Sequence, residues 1–491
     1  NVTGLHHRDT VFARLTDGRN YGGEASITIL DTVAPQTATI SLSGTSATTA
    51  GSVTATVTLK DNESGVNTTA SKWVYNTNAG NIGTNESSYN NNFSSNVQTI
   101  TLKATTPGTY YLHVLSVDNA GNKKEIISSS AVTVEKALVA DGTYNEDKGV
   151  NTPKLGTGMT PIKWNGSSWV NTTGSDPEWY DYTAKKWANA KTSDGSMWVW
   201  IPRYAYSITS GYHSSTAGNI DVEFMKGLTN ETSTGRTRFD NASGQGNWNI
   251  HPAFNYGSTV SGIWVAKFEA SNSGGKIKVE PGVSSWRSIT VNDIYTNCLN
   301  YNKTLNSHMM KNDEWGAVAY LSKSKYGKNA EVTINSNSSY YTGGGSGNAY
   351  VSNIGQSTTG TVHGVYDMSG GAWEYVAAYV DNSYTTSYGS SLVNGDAKTK
   401  NVYSKASTDN ATNNYNANSS KYGDAVYETS TSGSGSTSWY GDYSDFPNAG
   451  GPFFQRGGHY TGGTDEGVFF FYNYYGGTSS YLSFRPVLVA F

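Results

Sequence analysis

Cysteine is almost missing from this chain: Cys298 is the one thiol in 491 residues. That excludes an intrachain disulfide framework and a cysteine-based zinc cluster, and it fits either a reducing or an oxidising compartment. Charge is scarce as well, with 15% Asp, Glu, Lys and Arg and a net charge of −4. No basic stripe stands out, so a nucleic-acid partner is not expected. No run of about eighteen apolar residues occurs, which leaves no candidate for a membrane-crossing helix. Residue 1 is Asn and no signal peptide is visible; the expectation is a processed or truncated product with any export signal or anchor upstream. What is abundant is Gly (55), Tyr (35) and Trp (13), with visibly many Ser, Thr and Asn. This is too aromatic for disorder. It suits β-rich, loop-rich domains with neutral polar surfaces, and the length allows two to four of them.

Residues 1–33 open with two alternating runs, Thr10–Leu15 and Ala25–Leu30, around an Asp17-Gly18 turn. A lone hairpin is marginal in water, so this piece reads as the end of a preceding β-domain. Residues 34–136 read as a β-sandwich, with alternating strands at 39–43, 52–60, 72–75, 97–103, 108–118 and 131–135. Asp61-Asn62-Glu63-Ser64-Gly65-Val66 and the stretch 108–122 resemble bacterial immunoglobulin-like repeats of surface proteins, modules that usually serve as spacers. Asp61, Glu63 and Asp118 have the oxygen chemistry of Ca²⁺ ligands; the competing reading makes them turn-formers bonding their own backbone.

From Ala137 onward Trp, Tyr, Asn and Gly dominate. A helix is predicted over 178–190 and strands over 196–208 and 263–270. A second helix is predicted over 291–302, whose apolar positions 291, 294, 295, 298 and 299 share one face. Cys298 lies on that face and reads as a buried, inert thiol. A third helix is expected within 307–327, N-capped by Asn312 with Asp313 and Glu314 in its first turn. The stretches 335–361 and 381–438 read as long loops, which tend to be functional when ordered.

The segment His363–Tyr379 contains Gly364, Tyr366, Asp367, Met368, Gly370, Trp373, Glu374 and Tyr375. It resembles a signature of proteins related to formylglycine-generating enzymes (sulfatase-modifying factors), a branch of the C-type lectin fold. Glu314–Leu321, Arg456-Gly457-Gly458 and Ser483-Phe484-Arg485-Pro486-Val487-Leu488 resemble further motifs of that family in the same order. The resemblance implies a C-type lectin-like domain over 137–491, and hence a β-rich α+β chain overall, with Trp373 anchoring a core and Glu374 fixing loops through backbone N–H groups. It does not carry the oxidase, which needs a late cysteine pair; no cysteine follows Cys298. No nucleophile triad, phosphate loop or paired-carboxylate context is visible either. The chain therefore reads as a non-enzyme needing no cofactor, with a structural Ca²⁺ compatible with the lectin-like fold but no ligand set readable there.

Between Arg456 and Ser483, and over 439–446, lies a mixture of Tyr, Ser, Asn, Thr, Asp, His and Gly. Tyr gives contact area at low entropic cost and Ser, Asn and Gly give adaptable hydrogen bonds, as in antibody paratopes; the plainer alternative is a Tyr-rich β-structure. The arrangement resembles the variable proteins of diversity-generating retroelements, in which adenine-directed mutagenesis diversifies the end of a C-type lectin fold. That resemblance implies a variable segment over 439–481 whose ligand surface comprises Trp439, Tyr440, Asp442, Tyr443, Phe446, His459, Tyr460, Asp465, Tyr472, Asn473, Tyr474, Tyr475 and Tyr481. The expectation is an adhesin or receptor-binding tip on a cell or virion surface, with a protein or glycan ligand. The alternative is a self-assembling subunit of a pilus, surface layer or phage tail.

Overall fold

The computed structural model describes residues 3–16, 21–49, 51–135 and 139–491; the predicted Asp17-Gly18 turn lies outside them. The chain divides into two compact units, Asn1–Ala137 and Leu138–Phe491. Both are rich in strands.

In the first unit, strand Thr10–Thr16 pairs antiparallel with Tyr21–Thr28. The rest is a β-sandwich. One sheet sets Val53–Lys60 between Thr37–Leu42 and Val97–Leu102. The V-T-A-T-V-T-L-K alternation puts Val53, Ala55, Val57 and Leu59 inside, because successive side chains leave a strand on opposite faces. The threonines face outward, and Thr56 and Thr99 join hydroxyls across the strands at 3.1 Å. The second sheet centres on Gly108–Val117, flanked by Lys72–Asn76 on one side and by Lys123–Ile127 and Val132–Glu135 on the other. Leu112 and Val114 meet Ala55, Val57, Ile100 and Leu102 in the core.

The second unit is built on two seven-stranded sheets, beside a three-stranded one of Ile220–Phe224, Tyr204–Ile208 and Asn249–Ile250. The first is a seven-stranded antiparallel sheet ordered Trp169–Asn171, Thr160–Trp164, Asn189–Lys191, Met197–Pro202, Gly262–Ala266, Pro486–Leu488, His308–Met309. Met197–Pro202 and Gly262–Ala266 are buried at every position, which is why they read as unbroken apolar runs rather than alternations. The second sheet runs through Trp373–Val380, which pairs antiparallel with Phe453–Arg456 and parallel with both Asn401–Tyr403 and Leu482–Phe484. Phe471–Tyr474 extends it beyond Phe453–Arg456. Consecutive strands near the end of the chain thus belong to different sheets, with Arg485 at the crossover.

Helix α1 (Val291–Tyr301) buries Val291, Ile294, Tyr295 and Cys298, the predicted face, and Thr290 caps it by accepting from the Asp293 N–H. Helix α2 (Asn312–Lys323) is capped one residue earlier than predicted, at Lys311. The Glu314 carboxylate accepts from the Lys311 N–H at 2.8 Å, which closes the helix start. Asn312 is thereby freed to bond Arg456 and the Tyr403 hydroxyl, each at 2.7 Å.

Two other expectations are corrected. No helix forms over 178–190: Asp181 accepts from the Thr183 and Ala184 N–H groups, a local turn that competes with helix. Trp179, Tyr180, Tyr182 and Trp187 are all buried there, more aromatic surface than one helical stripe can hide. The predicted strand over 196–208 is two, Met197–Pro202 and Tyr204–Ile208, in different sheets; Pro202 has no N–H to continue the ladder. The stretches 335–361 and 381–438 are ordered by short 3-10 turns and the helices Thr386–Val393 and Ala411–Ala417.

Candidate functional site

Two arginines frame the tail, and both are fully buried. The Arg485 guanidinium forks onto Glu374, Nε to Oε2 at 3.0 Å and Nη2 to Oε1 at 2.5 Å. Its remaining N–H groups reach the carbonyls of Ala266 (2.8 Å) and Tyr366 (3.0 Å). Glu374 therefore serves a guanidinium rather than the loop N–H groups expected of it, because the parallel pairing of its strand with Leu482–Phe484 brings Arg485 alongside. Burial pushes Glu374 up to about 7 despite that arginine. Arg456 donates to the carbonyls of Phe470 (2.9 Å), Asp424 (2.9 Å) and Ala425 (3.0 Å), and its guanidinium lies 5.5 Å from the Trp315 ring centre.

Glycines bring the tail onto this frame. Gly370 donates to the carbonyls of Gly457 (2.7 Å) and Glu466 (3.1 Å). Gly457 and Gly458 both adopt positive φ, and at Gly458 a Cβ would come within 2.4 Å of the Glu466 backbone. Asp367, also at positive φ, accepts from Asn335 Nδ2 (3.0 Å) and the Gly343 N–H (2.8 Å). Gly364, Met368, Phe484 and Pro486 are buried with the rest of the signature.

Trp373 departs from its expected role. Its ring is half-buried and forms the floor of an aromatic patch. The indole N–H donates to Glu466 at 2.9 Å, and the ring centre lies 5.0 Å from His459, 6.5 Å from Tyr472 in a stacked arrangement, and 6.3 Å from Tyr481. His459 continues to Tyr460 (4.3 Å), and Tyr460 meets Tyr340 edge-on at 4.9 Å. On the other side Tyr472 reaches Tyr443 at 5.9 Å. A neighbouring group joins Tyr474, Tyr475 and Tyr388, at 4.5 Å and 5.4 Å. Tyr475 is 41% exposed and Tyr481 47%. Tyr340 and His459 are buried, and the remaining rings reach solvent.

Seven of the thirteen predicted ligand residues take part in these two groups: Tyr443, His459, Tyr460, Tyr472, Tyr474, Tyr475 and Tyr481. Asp465 and Asn473 flank them half-buried, Asp465 through its carbonyl to the Tyr443 N–H at 2.8 Å. Four are corrected. His459 is buried within the first group, its ring nitrogens bonded to the Tyr340 and Thr461 hydroxyls. Trp439 is buried, with its N–H on the Gly211 carbonyl at 2.8 Å. Phe446 is buried against Phe454 and Tyr403. Asp442 is buried, accepting from the Gly467 (3.1 Å) and Phe469 (2.8 Å) N–H groups. Each spends its polar or apolar surface on the interior and has none left for a ligand. Tyr440 is half-buried beside Phe469. Missed were Tyr340, Tyr388 and Arg287, whose guanidinium sits 3.8 Å from the Tyr340 ring centre and whose Nη1 donates to the Ser480 carbonyl at 2.6 Å. They lie far from the tail in sequence, and no local motif marks them.

The titratable groups of the patch are tied to its geometry. Burial, then Arg287, lowers His459 to about 4, so the ring is neutral at pH 7, sharing a 2.8 Å bond between Nε2 and the Tyr340 hydroxyl. Burial raises Glu466 to about 7, against bonds from the Trp373 indole and the His459 N–H. A carboxyl whose folded pKa is raised contributes stability that is full below its unfolded pKa, about 4.3, and is lost as pH climbs through about 7. Glu466→Gln removes that loss. The variant is expected to gain on the wild type in thermal midpoint between pH 4.5 and 7 and to hold the gain above 7, as read by circular dichroism melts across that range.

Pockets of this unit open elsewhere, among them one between Trp164, Trp169, Met197 and Tyr350 and one beside Asp313, Tyr403 and Asp424. Neither touches the patch. No family model matches the chain, and no curated protein matches it. Among solved structures it is similar to the D00-D0 domain of Intimin, at 21% identity over 27% of this chain and 67% of that one, with a TM-score of 0.15, a likeness too slight to carry an argument.

Proposed function

We propose that the chain is a non-enzymatic ligand-binding protein of a cell or virion surface, an adhesin or receptor-binding tip. In this reading the second unit is a C-type lectin-type domain of the formylglycine-generating-enzyme-like branch, and the tail between its two framework arginines is a diversifiable recognition surface. The observation that carries it is the aromatic patch in which Trp373, Tyr443, Tyr460, Tyr472 and Tyr481 reach solvent over the buried rings of Tyr340 and His459 and over buried arginine and glycine supports. Rigid aromatic rings on a fixed backbone are what binding hot spots are made of, and an open surface suits a protein or glycan chain better than a small metabolite. The sandwich of the first unit then serves as a spacer.

The test is a screen of the purified chain on arrays of glycans and of cell-surface ectodomains, followed by affinity measurement on what binds. Tyr460→Ala with Tyr481→Ala is expected to weaken that binding at least tenfold, about 1.4 kcal/mol, while circular dichroism stays unchanged. Tyr474→Ala with Tyr475→Ala probes the neighbouring group in the same way. Unchanged binding in both folded double variants rejects the surface. Sedimentation of the wild type separates this reading from a self-assembling subunit, whose head-to-tail contacts would propagate into open polymers.

A further inference from the structure

Among the described residues of the first unit, three carboxylates from three separate segments converge. Asp31 lies just after the N-terminal hairpin, Asp61 opens the 61–66 turn, and Asp118 opens the 118–122 turn. One side-chain oxygen of each lies within 4.8 Å of the other two, with Asp118 buried and Asp31 and Asp61 half-buried. Three like charges at that spacing repel one another, and none of the ion pairs among the described residues involves any of them.

Their hydrogen bonds are divided in a telling way. Asp61 Oδ2 accepts from the Ser64 (2.9 Å) and Gly65 (2.7 Å) N–H groups. Asp118 Oδ1 accepts from the Ala120 (2.9 Å) and Asn122 (2.8 Å) N–H groups. Asp31 Oδ1 accepts from the Val33 N–H at 2.9 Å. The turn-forming role is therefore real; it uses one oxygen each of Asp31 and Asp61, while Asp118 also accepts from Asn122 Nδ2 through Oδ2 at 2.8 Å. The other oxygens of Asp31 and Asp61, Oδ2 and Oδ1, are shut off from solvent and have no hydrogen-bond partner. A buried carboxylate oxygen with no donor is costly, and a cation held among the three converging carboxylates would satisfy both. Glu63, the third ligand expected from the sequence, instead bonds the Gln36 amide at 2.5 and 2.6 Å, and Asp31 takes its place.

We propose that Asp31, Asp61 and Asp118 form a Ca²⁺ site that clips the segment leaving the hairpin onto two turns of the sandwich. The hard oxygen donors exclude a thiolate- or imidazole-selecting metal. Ca²⁺ accepts six to eight oxygens in flexible geometry, so carbonyls and waters complete the shell, whereas Mg²⁺ demands a near-ideal octahedron. The turns are already stapled to each other, since Asn119 donates to the Ser64 carbonyl through Nδ2 (2.9 Å) and to the Gly65 carbonyl through its N–H (2.8 Å). Asn122 Nδ2 further donates to the carbonyls of Asp31 (3.1 Å) and Val33 (3.2 Å).

Calorimetric titration of CaCl₂ into the EDTA-treated, dialysed full chain tests the site. One Ca²⁺ per chain is expected, with a Kd in the range of about 10⁻⁴–10⁻³ M typical of extracellular modules. Asp61→Asn and Asp31→Asn are each expected to weaken binding at least tenfold, and Glu63→Gln to leave it unchanged; circular dichroism verifies that each variant is folded. No heat of binding up to 10 mM CaCl₂ in the wild type overturns the proposal, and that result needs no variant to fold. Binding that survives in the folded Asp31→Asn variant overturns the placement, and MgCl₂ binding as tight as CaCl₂ overturns the assignment of the ion.

Discussion

Arg485→Ala is expected to destabilise the second unit by about 3–5 kcal/mol, the range for removing one partner of a buried ion pair. The reason is local. Glu374 loses both hydrogen bonds of its forked partner and stays buried. Glu269 and Asp367 are buried beside it, and burial and mutual repulsion hold Glu269 well above the ordinary carboxylate range. The carbonyls of Ala266 and Tyr366 lose donors as well. Urea unfolding followed by tryptophan fluorescence reads the change, because most of the tryptophans are in this unit. Arg485→Met combined with Glu374→Leu is expected to recover most of the loss, since an apolar pair of similar volume removes the stranded charge. The cost of Arg485→Ala alone should also shrink from pH 8 to pH 5, as Glu374, raised to about 7 by burial, takes up its proton and no longer needs a cation. A cost below about 1 kcal/mol at pH 8, the value of an ordinary exposed pair, would mean that the arginine is not what secures the tail.

Gly458→Ala is the second large effect expected, at about 2–4 kcal/mol. Two penalties combine: a non-glycine residue at φ +76°, in the range of about 1–3 kcal/mol for strained backbone, and a Cβ placed 2.4 Å from the Glu466 Cα. The second cannot be relieved by turning a flexible side chain, because the obstacle is backbone. The 459–466 loop must move, and with it the Glu466 carboxylate that holds both the Trp373 indole and the His459 N–H. The variant is therefore expected to lose stability and surface geometry together, whereas Tyr460→Ala loses only contact area. Fluorescence of the half-buried Trp373 and chemical denaturation distinguish the two; an unchanged unfolding midpoint in Gly458→Ala would show that the loop yields without cost.

Which features were legible in the sequence follows from how local their causes are. The Val53–Lys60 alternation and the apolar face of α1 are set by spacing within one element, and both appear where spacing puts them. Arg456 and Arg485 stood out as framework through the turn glycines and final strand around them, in stretches that resemble family motifs. By contrast, Trp439 and Phe446 carry the same residue types as the exposed rings around them. Only the packing of Phe469, Phe454 and Tyr403 against them decides that they face inward. Trp373 errs in the opposite direction, since a tryptophan beside a glycine turn suggests an anchor, yet the strand delivers it to the sheet's open face. The third carboxylate of the cation site was invisible for the same reason. Asp31 is thirty positions from Asp61, and only the pairing of distant segments brings them together.

The strand Pro486–Leu488 lies between Gly262–Ala266 and His308–Met309, one place in from the edge of its sheet, with Leu488 opposite Trp264. That position has a consequence for how the protein comes into being. Ribosomes deliver residue 264 long before residue 488, and at about 5–20 residues per second the interval is roughly 10 to 45 s. Through that interval the Trp264 strand has one neighbour in place and an open edge, the kind of template that recruits strands from other chains. Vectorial synthesis thus leaves the second unit waiting for its last sheet partner, and a chain halted before residue 486 would present that edge permanently. Nascent-chain truncations ending at 480 and at 491 offer a direct comparison of protease resistance and aggregation on this point.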